Sequence, residues 1–222
     1  MRILDLTVTI GPGTLSPPSV NQQLTITPAF RGPGYWRGST VAMTLHSGSH
    51  VDFMAHHAAD GEVASDVDLE RLCGPALVLD MRDVEADQPI TLALVQERGA
   101  GVRPGDIALI HTGWTDRMWG KFPDYYQHSP YCEPEAARWL VDRGAKAVGF
   151  DCFSEYSARL PDFTSEDFVV HKAILENGAL LMQHLTNLSE LPLGRRVQFF
   201  GPCVKISDAE GSPARFFALV ED

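Results

Sequence analysis

The chain of 222 residues is 44% hydrophobic and 21% charged, and carries a net charge of −11. It has no basic cluster to contact phosphates, no attraction for anionic lipid and no apolar run near the ~20 residues that span a bilayer, which argues against nucleic-acid and membrane partners. The length predicts one domain over residues 1–222, able to bury a core without disulfides or a structural metal.

In chain order, "MRILDLTVTI" alternates apolar residues at Ile3, Leu4, Leu6, Val8 and Ile10 and reads as a strand. It lacks the apolar block of a secretory signal, so a cytoplasmic location is expected. A Gly/Pro/Ser loop follows, then a short strand in "LTITPAF", a turn in "RGPGYW", and a strand in "TVAMTLH" that is expected to run straight into a histidine-rich segment. "PALVLDM" predicts a buried strand, "TLALVQERGA" a helix, and "GDIALIHTGW" a strand entering a glycine turn. "EPEAARWLVDRGA" opens with acidic residues and proline and closes on Gly144, as a helix does. "KAVGFDC" is a strand, and "SEDFVVHKAILENGA" a helix with Ser165 as its expected N-cap. "ALLMQHLTNL", "RVQFFGPCVKI" and "ARFFALV" supply the closing strands. The alternation of strands and helices predicts an α/β fold. Cys73, Cys132, Cys152 and Cys203 are scattered with no C-x-x-C pair and read as structural thiols.

The segment "LHSGSHVDFMAHH", Leu45 to His57, holds four of the eight histidines. His46, His50, Asp52 and His56 all sit at even positions, and alternate residues of an extended chain share a face. Gly48, between two serines, can bend the chain so that His46 meets His50. Imidazole and carboxylate together suit Zn²⁺, Mn²⁺ or Fe²⁺. Two neutral histidines and one aspartate leave a dication with residual positive charge, which lowers the pKa of coordinated water from ~15.7 toward ~7. A bend at Phe53–Ala55 would carry His56 over the ion as a proton acceptor rather than a ligand. His57 points the other way.

The segment resembles the signature of the cyclase-like metal-dependent hydrolases, the family of bacterial kynurenine formamidase and isatin hydrolase, whose pattern is roughly H-x-G-[ST]-H-x-D-x-P-x-H. "ILDLTVTI", "GDIALIHTGW", "VGFDCFS", "HKAILENGALLMQHLTNLSEL" and "GSPARFFALV" extend the likeness over nearly the whole chain. The resemblance implies a swivelling β/β/α fold, a mixed β-sheet or barrel core flanked by helices, and a homodimer or homotetramer. It implies one divalent ion per subunit, Mn²⁺ or Zn²⁺, on His46, His50 and Asp52. It makes His56 the proton shuttle and places His171 near the metal. Gln183 falls where many members carry a glutamate ligand. A neutral amide there removes one unit of charge, so a single ion is expected, with Gln183 a weak ligand or a hydrogen-bond partner. Met54 replaces the pattern's proline, and Phe53 is bulkier than the usual residue and is expected to wall the substrate site.

The expected activity is hydrolysis of a small, aromatic cyclic amide, as in isatin ring opening. N-formylkynurenine hydrolysis and lactone hydrolysis are the alternatives. Two rivals come from other classes. His50-Val51-Asp52 with His171 follows the order of a non-heme Fe(II) oxygenase triad, though that would leave His46 and His56 without a role. A metal-dependent binding protein would need no proton acceptor at His56. Ser154 lacks a nucleophile elbow, His111 sits before Thr112-Gly113-Trp114 at a strand end where a structural and a functional reading are both open, and His128 lies in an aromatic loop with no metal-ligand neighbour and reads as structural.

Overall fold

Strands buried on both faces read as continuous apolar runs, and four such runs lie side by side at the centre of the molecule. The computed structural model describes residues 1–221. Its strands are β1 (Arg2–Asp5), β2 (Thr25–Phe30), β3 (Arg37–Ala42), β4 (His50–Asp52), β5 (Cys73–Asp80), β6 (Pro89–Ile90), β7 (Ile107–His111), β8 (Tyr131–Cys132), β9 (Ala147–Phe150), β10 (Leu180–Gln183), β11 (Val197–Phe200), β12 (Gly211–Pro213) and β13 (Phe217–Val220). Its helices are α1 (Leu69–Leu72), α2 (Leu92–Arg98), α3 (Trp114–Met118), α4 (Asp124–Gln127), α5 (Pro134–Asp142) and α6 (Val169–Leu175).

Nine strands form one sheet in the order β1-β13-β11-β5-β7-β9-β10-β4-β12. The pairs β5–β7, β7–β9 and β9–β10 are parallel, and the flanking pairs are antiparallel. The sheet curls into a half-barrel flanked by helices, the mixed α/β architecture that the sequence pattern predicts. Side chains of β7 divide two cores by the period of two. Ala108 and Ile110 pack with Ala136 and Leu140 of α5 and Ile174 of α6. Ile107 and Leu109 pack inside the curl with Leu6, Phe199 and Phe216. No helix among the described residues is long and apolar enough to cross a membrane.

Two local expectations are corrected. The strand predicted in "TVAMTLH" ends at Ala42 and pairs only with β2, as an exposed arm outside the main sheet. The chain then turns, with Ser47 N–H donating to the Thr44 carbonyl, before the short strand β4 begins at His50. The helix predicted from Ser165 is broken in two. Thr164 caps a 3₁₀ turn over Ser165–Asp167, and its reciprocal bond with Asp167 closes that turn. The helix α6 restarts at Val169 because the Val170 and His171 amides donate at 2.9 Å to the remote carboxylate of Glu155. That carboxylate satisfies the otherwise orphaned first-turn donors.

Asp151, just past β9, ties the ends of the central strands together. Its oxygens accept from Thr112 N and Oγ1 at 2.7 and 2.6 Å, Gly113 N at 2.7 Å and His111 Nδ1 at 2.8 Å. Removing this buried carboxylate strands all four donors. Asp151→Ala should therefore lower unfolding free energy by about 3–5 kcal/mol. Loss of the exposed Asp83–Arg98 pair in Asp83→Ala should cost under about 1 kcal/mol. Urea denaturation of the two variants side by side checks the contrast.

Candidate metal centre

The site lies beyond the carboxyl ends of β9 and β10, where open α/β sheets form their clefts. In β4, His50 and Asp52 face one side while Val51 and its neighbour Phe53 enter the inner core. Backbone pairing sets His50 opposite Gln183 of β10 on one flank and Pro213 of β12 on the other. Gly48 has φ +71°, a left-handed turn that favours glycine. The turn returns His46 to within 5.2 Å of the His50 ring, centroid to centroid. His46 also lies flat against Gly211, where a Cβ would come within 2.7 Å of its ring, so a glycine is required there.

His46, His50 and Asp52 are all buried, and each brings a ligand atom within 4.8 Å of the others. His46 Nδ1 lies 2.7 Å from Asp52 Oδ1, and its Nε2 lies 3.2 Å from Glu210 Oε1. Burial pulls the His46 pKa down, but the bonds to these two carboxylates outweigh it and push it up to about 9. The bond from His46 in turn holds Glu210 down at about 2. Burial pushes Asp52 up, yet His50 and His46 keep it well below the usual carboxylate range.

Hydrogen bonds assign the tautomers of two further rings. His50 Nδ1 donates to the Gly48 carbonyl, which can only accept, at 2.7 Å, and its Nε2 lies 3.3 Å from Asp52 Oδ1. His171 Nδ1 donates to Glu155 Oε1 at 2.7 Å, and its Nε2 lies 3.6 Å from Asp52 Oδ2. His56, in a 3₁₀ turn at Met54–His56, stacks on His46 at 4.3 Å and sits 5.6 Å from the His171 ring. Loss of water around the ring pushes its pKa down to about 4; Asp52 opposes this, and the nearby His46 and His171 add to it. Gln183 donates from Nε2 to Ser154 Oγ at 3.0 Å. Its Oε1, like Asp52 Oδ2, is buried with no hydrogen-bond partner. Buried, unpartnered oxygens are costly in a polar pocket, and oxygen and imidazole donors together fit a divalent ion.

His46, His50, Asp52, His56, His171 and Gln183 thus converge, as the sequence predicts. Phe53 does not. It is fully buried in the inner core with Val51, on the opposite face of the segment, and is absent from the cavity that His46, His50, His56, His171 and Gln183 line. That cavity measures about 40 Å³ and is also lined by Pro17, Ser19, Val20, Phe153 and Phe168. His57 turns outward to Glu176, and His111 and His128 pair with Asp151 and Asp87. Glu155 and Glu210 escaped the sequence reading. Each sits beside a polar, turn-forming stretch with no local signature, and the second is 164 positions from the histidine it meets.

A family model named "Cyclase", described as "Putative cyclase", matches residues 4–155, more than half of the chain. The chain belongs to the Cyclase family. It is 29% identical to a kynurenine formamidase of Erythrobacter litoralis, over 96% of this chain and 92% of that one. A kynurenine formamidase of Geobacillus thermodenitrificans is 27% identical over 79% of this chain and 76% of its own. Among solved structures, isatin hydrolase A from Ralstonia solanacearum superposes with a TM-score of 0.78 at 26% identity, covering 99% of this chain and 92% of that one. An isatin hydrolase bound to the product analogue thioisatinate gives a TM-score of 0.85 at 22% identity, covering 100% and 93%. The shared fold places the Cyclase core around the same curled sheet.

In this Cyclase member Glu155 holds both the start of α6 and the ring of His171. Glu155→Ala should lower stability by about 2–4 kcal/mol. It should also cut turnover by about 10-fold or more through the misoriented imidazole. Denaturation curves and kinetics on the folded fraction separate the two effects.

Proposed function

We propose that the chain is a metal-dependent hydrolase that opens a small aromatic cyclic amide of the isatin type. The convergence of His46, His50 and Asp52 with two partnerless oxygens, on Asp52 and Gln183, carries this reading. Likeness to isatin hydrolase A supports the ring-opening substrate. The kynurenine formamidase relatives support hydrolysis of N-formylkynurenine as the second reading.

One Mn²⁺ or Zn²⁺ per subunit, held by His46, His50, Asp52 and the Gln183 amide oxygen, would supply Lewis-acid polarisation and a more acidic water. The chain does the rest. His50 offers Nε2 because Gly48 holds its Nδ1 proton. His56 takes a proton from the attacking water as the oxygen bonds to the acyl carbon. The C–N bond then breaks, and His56 returns that proton to the nitrogen, leaving an amine and a carboxylic acid that releases its proton to solvent as the carboxylate. His171, held by Glu155, accepts a hydrogen bond from the same water and orients it. Ser154 is engaged by Gln183, and burial pushes the Cys152 thiol far up, so neither serves as nucleophile. Pro17, Ser19 and Val20 line the cavity with the histidines, so a bound fused bicyclic lactam would lie against that segment. The exposed β2–β3 arm, with Phe30, Tyr35 and Trp36 uncovered, supports a homo-oligomer.

Metal analysis should return one ion per subunit for the purified protein and close to none for Asp52→Asn or His50→Ala. Chelator should abolish hydrolysis of isatin, and Mn²⁺ or Zn²⁺ should restore it without oxygen uptake. Oxygen consumption coupled to turnover would instead establish the oxygenase rival. His56→Ala should retain the ion and lose about 10²–10⁴-fold in kcat. A binding protein would keep its ligand affinity and show no turnover to lose.

A further inference from the structure

Resting on the amide-hydrolase reading, we propose that His184 selects the substrate. Its Nε2 lone pair accepts a hydrogen bond from an N–H on the scissile nitrogen, so amides bearing that hydrogen are preferred over N-alkylated amides and lactones.

A chain of hydroxyls dictates the tautomer. Thr115 Oγ1 lies 2.6 Å from the Asp151 carbonyl, which can only accept, so the single threonine proton goes there. Thr115 Oγ1 must therefore accept from Tyr125 Oη, 2.9 Å away. The tyrosine proton is then spent, and Tyr125 Oη accepts from His184 Nδ1–H at 2.8 Å. The neutral ring is left with a bare lone pair on Nε2. That atom is buried and has no hydrogen-bond partner among the described residues, and His184 lines the cavity with His50, His56, His171 and Gln183.

The surroundings hold this state. The ring is enclosed by those of His50, Trp119, Tyr125, Tyr126 and Phe153, with centroids 5.4–6.4 Å away, and no carboxylate among the described residues hydrogen-bonds to it. The backbone of His184 has φ +59°, a left-handed conformation that a non-glycine residue adopts at a cost. Ser49 Oγ, donating to the His184 carbonyl at 2.8 Å, fastens it to the histidine segment. An acceptor-only nitrogen enclosed by aromatic rings is satisfied by a hydrogen-bond donor. An N–H offers one. A lactone oxygen opposes lone pair to lone pair, and an N-methyl group brings bulk without a proton. Sites built around such a bond reject analogues lacking it by orders of magnitude.

The test compares isatin with N-methylisatin, and a formanilide with its N-methyl form, each rate divided by its hydroxide-catalysed rate in free solution. The wild-type protein should favour the N–H member by about 100-fold or more in kcat/KM. His184→Phe should reduce that preference to within about 5-fold, with metal content measured on the same sample. Nitrogen NMR of histidine-labelled, ion-free protein should show Nε2 of His184 as the unprotonated, pyridine-like nitrogen. Tyr125→Phe removes the group that holds Nδ1–H and should redistribute the tautomers. A protonated Nε2 in the wild type, or equal normalised rates for both members, overturns the proposal while leaving the hydrolase reading intact. If no pair is hydrolysed, the hydrolase reading fails. Titration of the intact amides into the metal-loaded protein then decides for His184: N–H binding at least about 10-fold tighter, and lost in His184→Phe, upholds it; equal or absent binding ends it.

Discussion

The site is organised around a carboxylate that is wholly out of water. Asp52 shares one oxygen between His46 and His50, and its other oxygen has no hydrogen-bond partner among the described residues. Removing a carboxylate from water costs several kcal/mol unless charge and hydrogen bonds replace the lost hydration. Strand β4 bears that cost because it is held on both sides, by β10 and β12. The alternate residues Val51 and Phe53 anchor it in the inner core. The apolar face thus fixes the polar one. This is why three residues of strand suffice to position a ligand pair, and why the bulk of Phe53 serves packing.

Much of this was legible locally. Even spacing from His46 to His56 is a property of the segment itself, and Gly48 marks the bend that brings the first histidine back. The helix at α5 and the buried strands at β5, β7, β9 and β10 follow from apolar pattern and end signals. The same period of two that places His50 and Asp52 together places Phe53 on the far side, so the expected wall contradicted the register that predicted the ligands. Glu155 and Glu210 were not legible, because each acts through a partner brought close only by the fold. The break before α6 has the same origin. A remote carboxylate caps the helix, and no neighbouring serine does so.

A common device governs the imidazoles. The Gly48 carbonyl, Glu155 and Tyr125 each engage an Nδ1, on His50, His171 and His184, and each makes Nδ1 a protonated, donating nitrogen. The three partners come from a turn, a strand-end loop and a helix, so the shared tautomer is a property of the assembled fold. Orientation of a ring by its outer nitrogen raises its basicity and restricts its motion. A histidine without such an anchor would sample both tautomers and two ring flips. Among the described residues His56 has no such bond to its ring, which suits its proposed role of carrying a proton and giving it back.

Gln183 completes the electrostatics. Its place is fully buried, opposite His50 on β10. A carboxylate there, beside the partnerless oxygen of Asp52, would set two desolvated anions into one pocket. They would raise each other's pKa or demand a second cation. A neutral amide carries a far smaller desolvation cost. The Ser154 hydroxyl takes its N–H while its oxygen stays available. With Asp52 the one anionic member of the proposed ligand set, a dication bound there would keep net positive charge for polarising a carbonyl. A further carboxylate would drain that charge. On the proposed single-ion reading, the same burial that makes the site possible disfavours a further carboxylate.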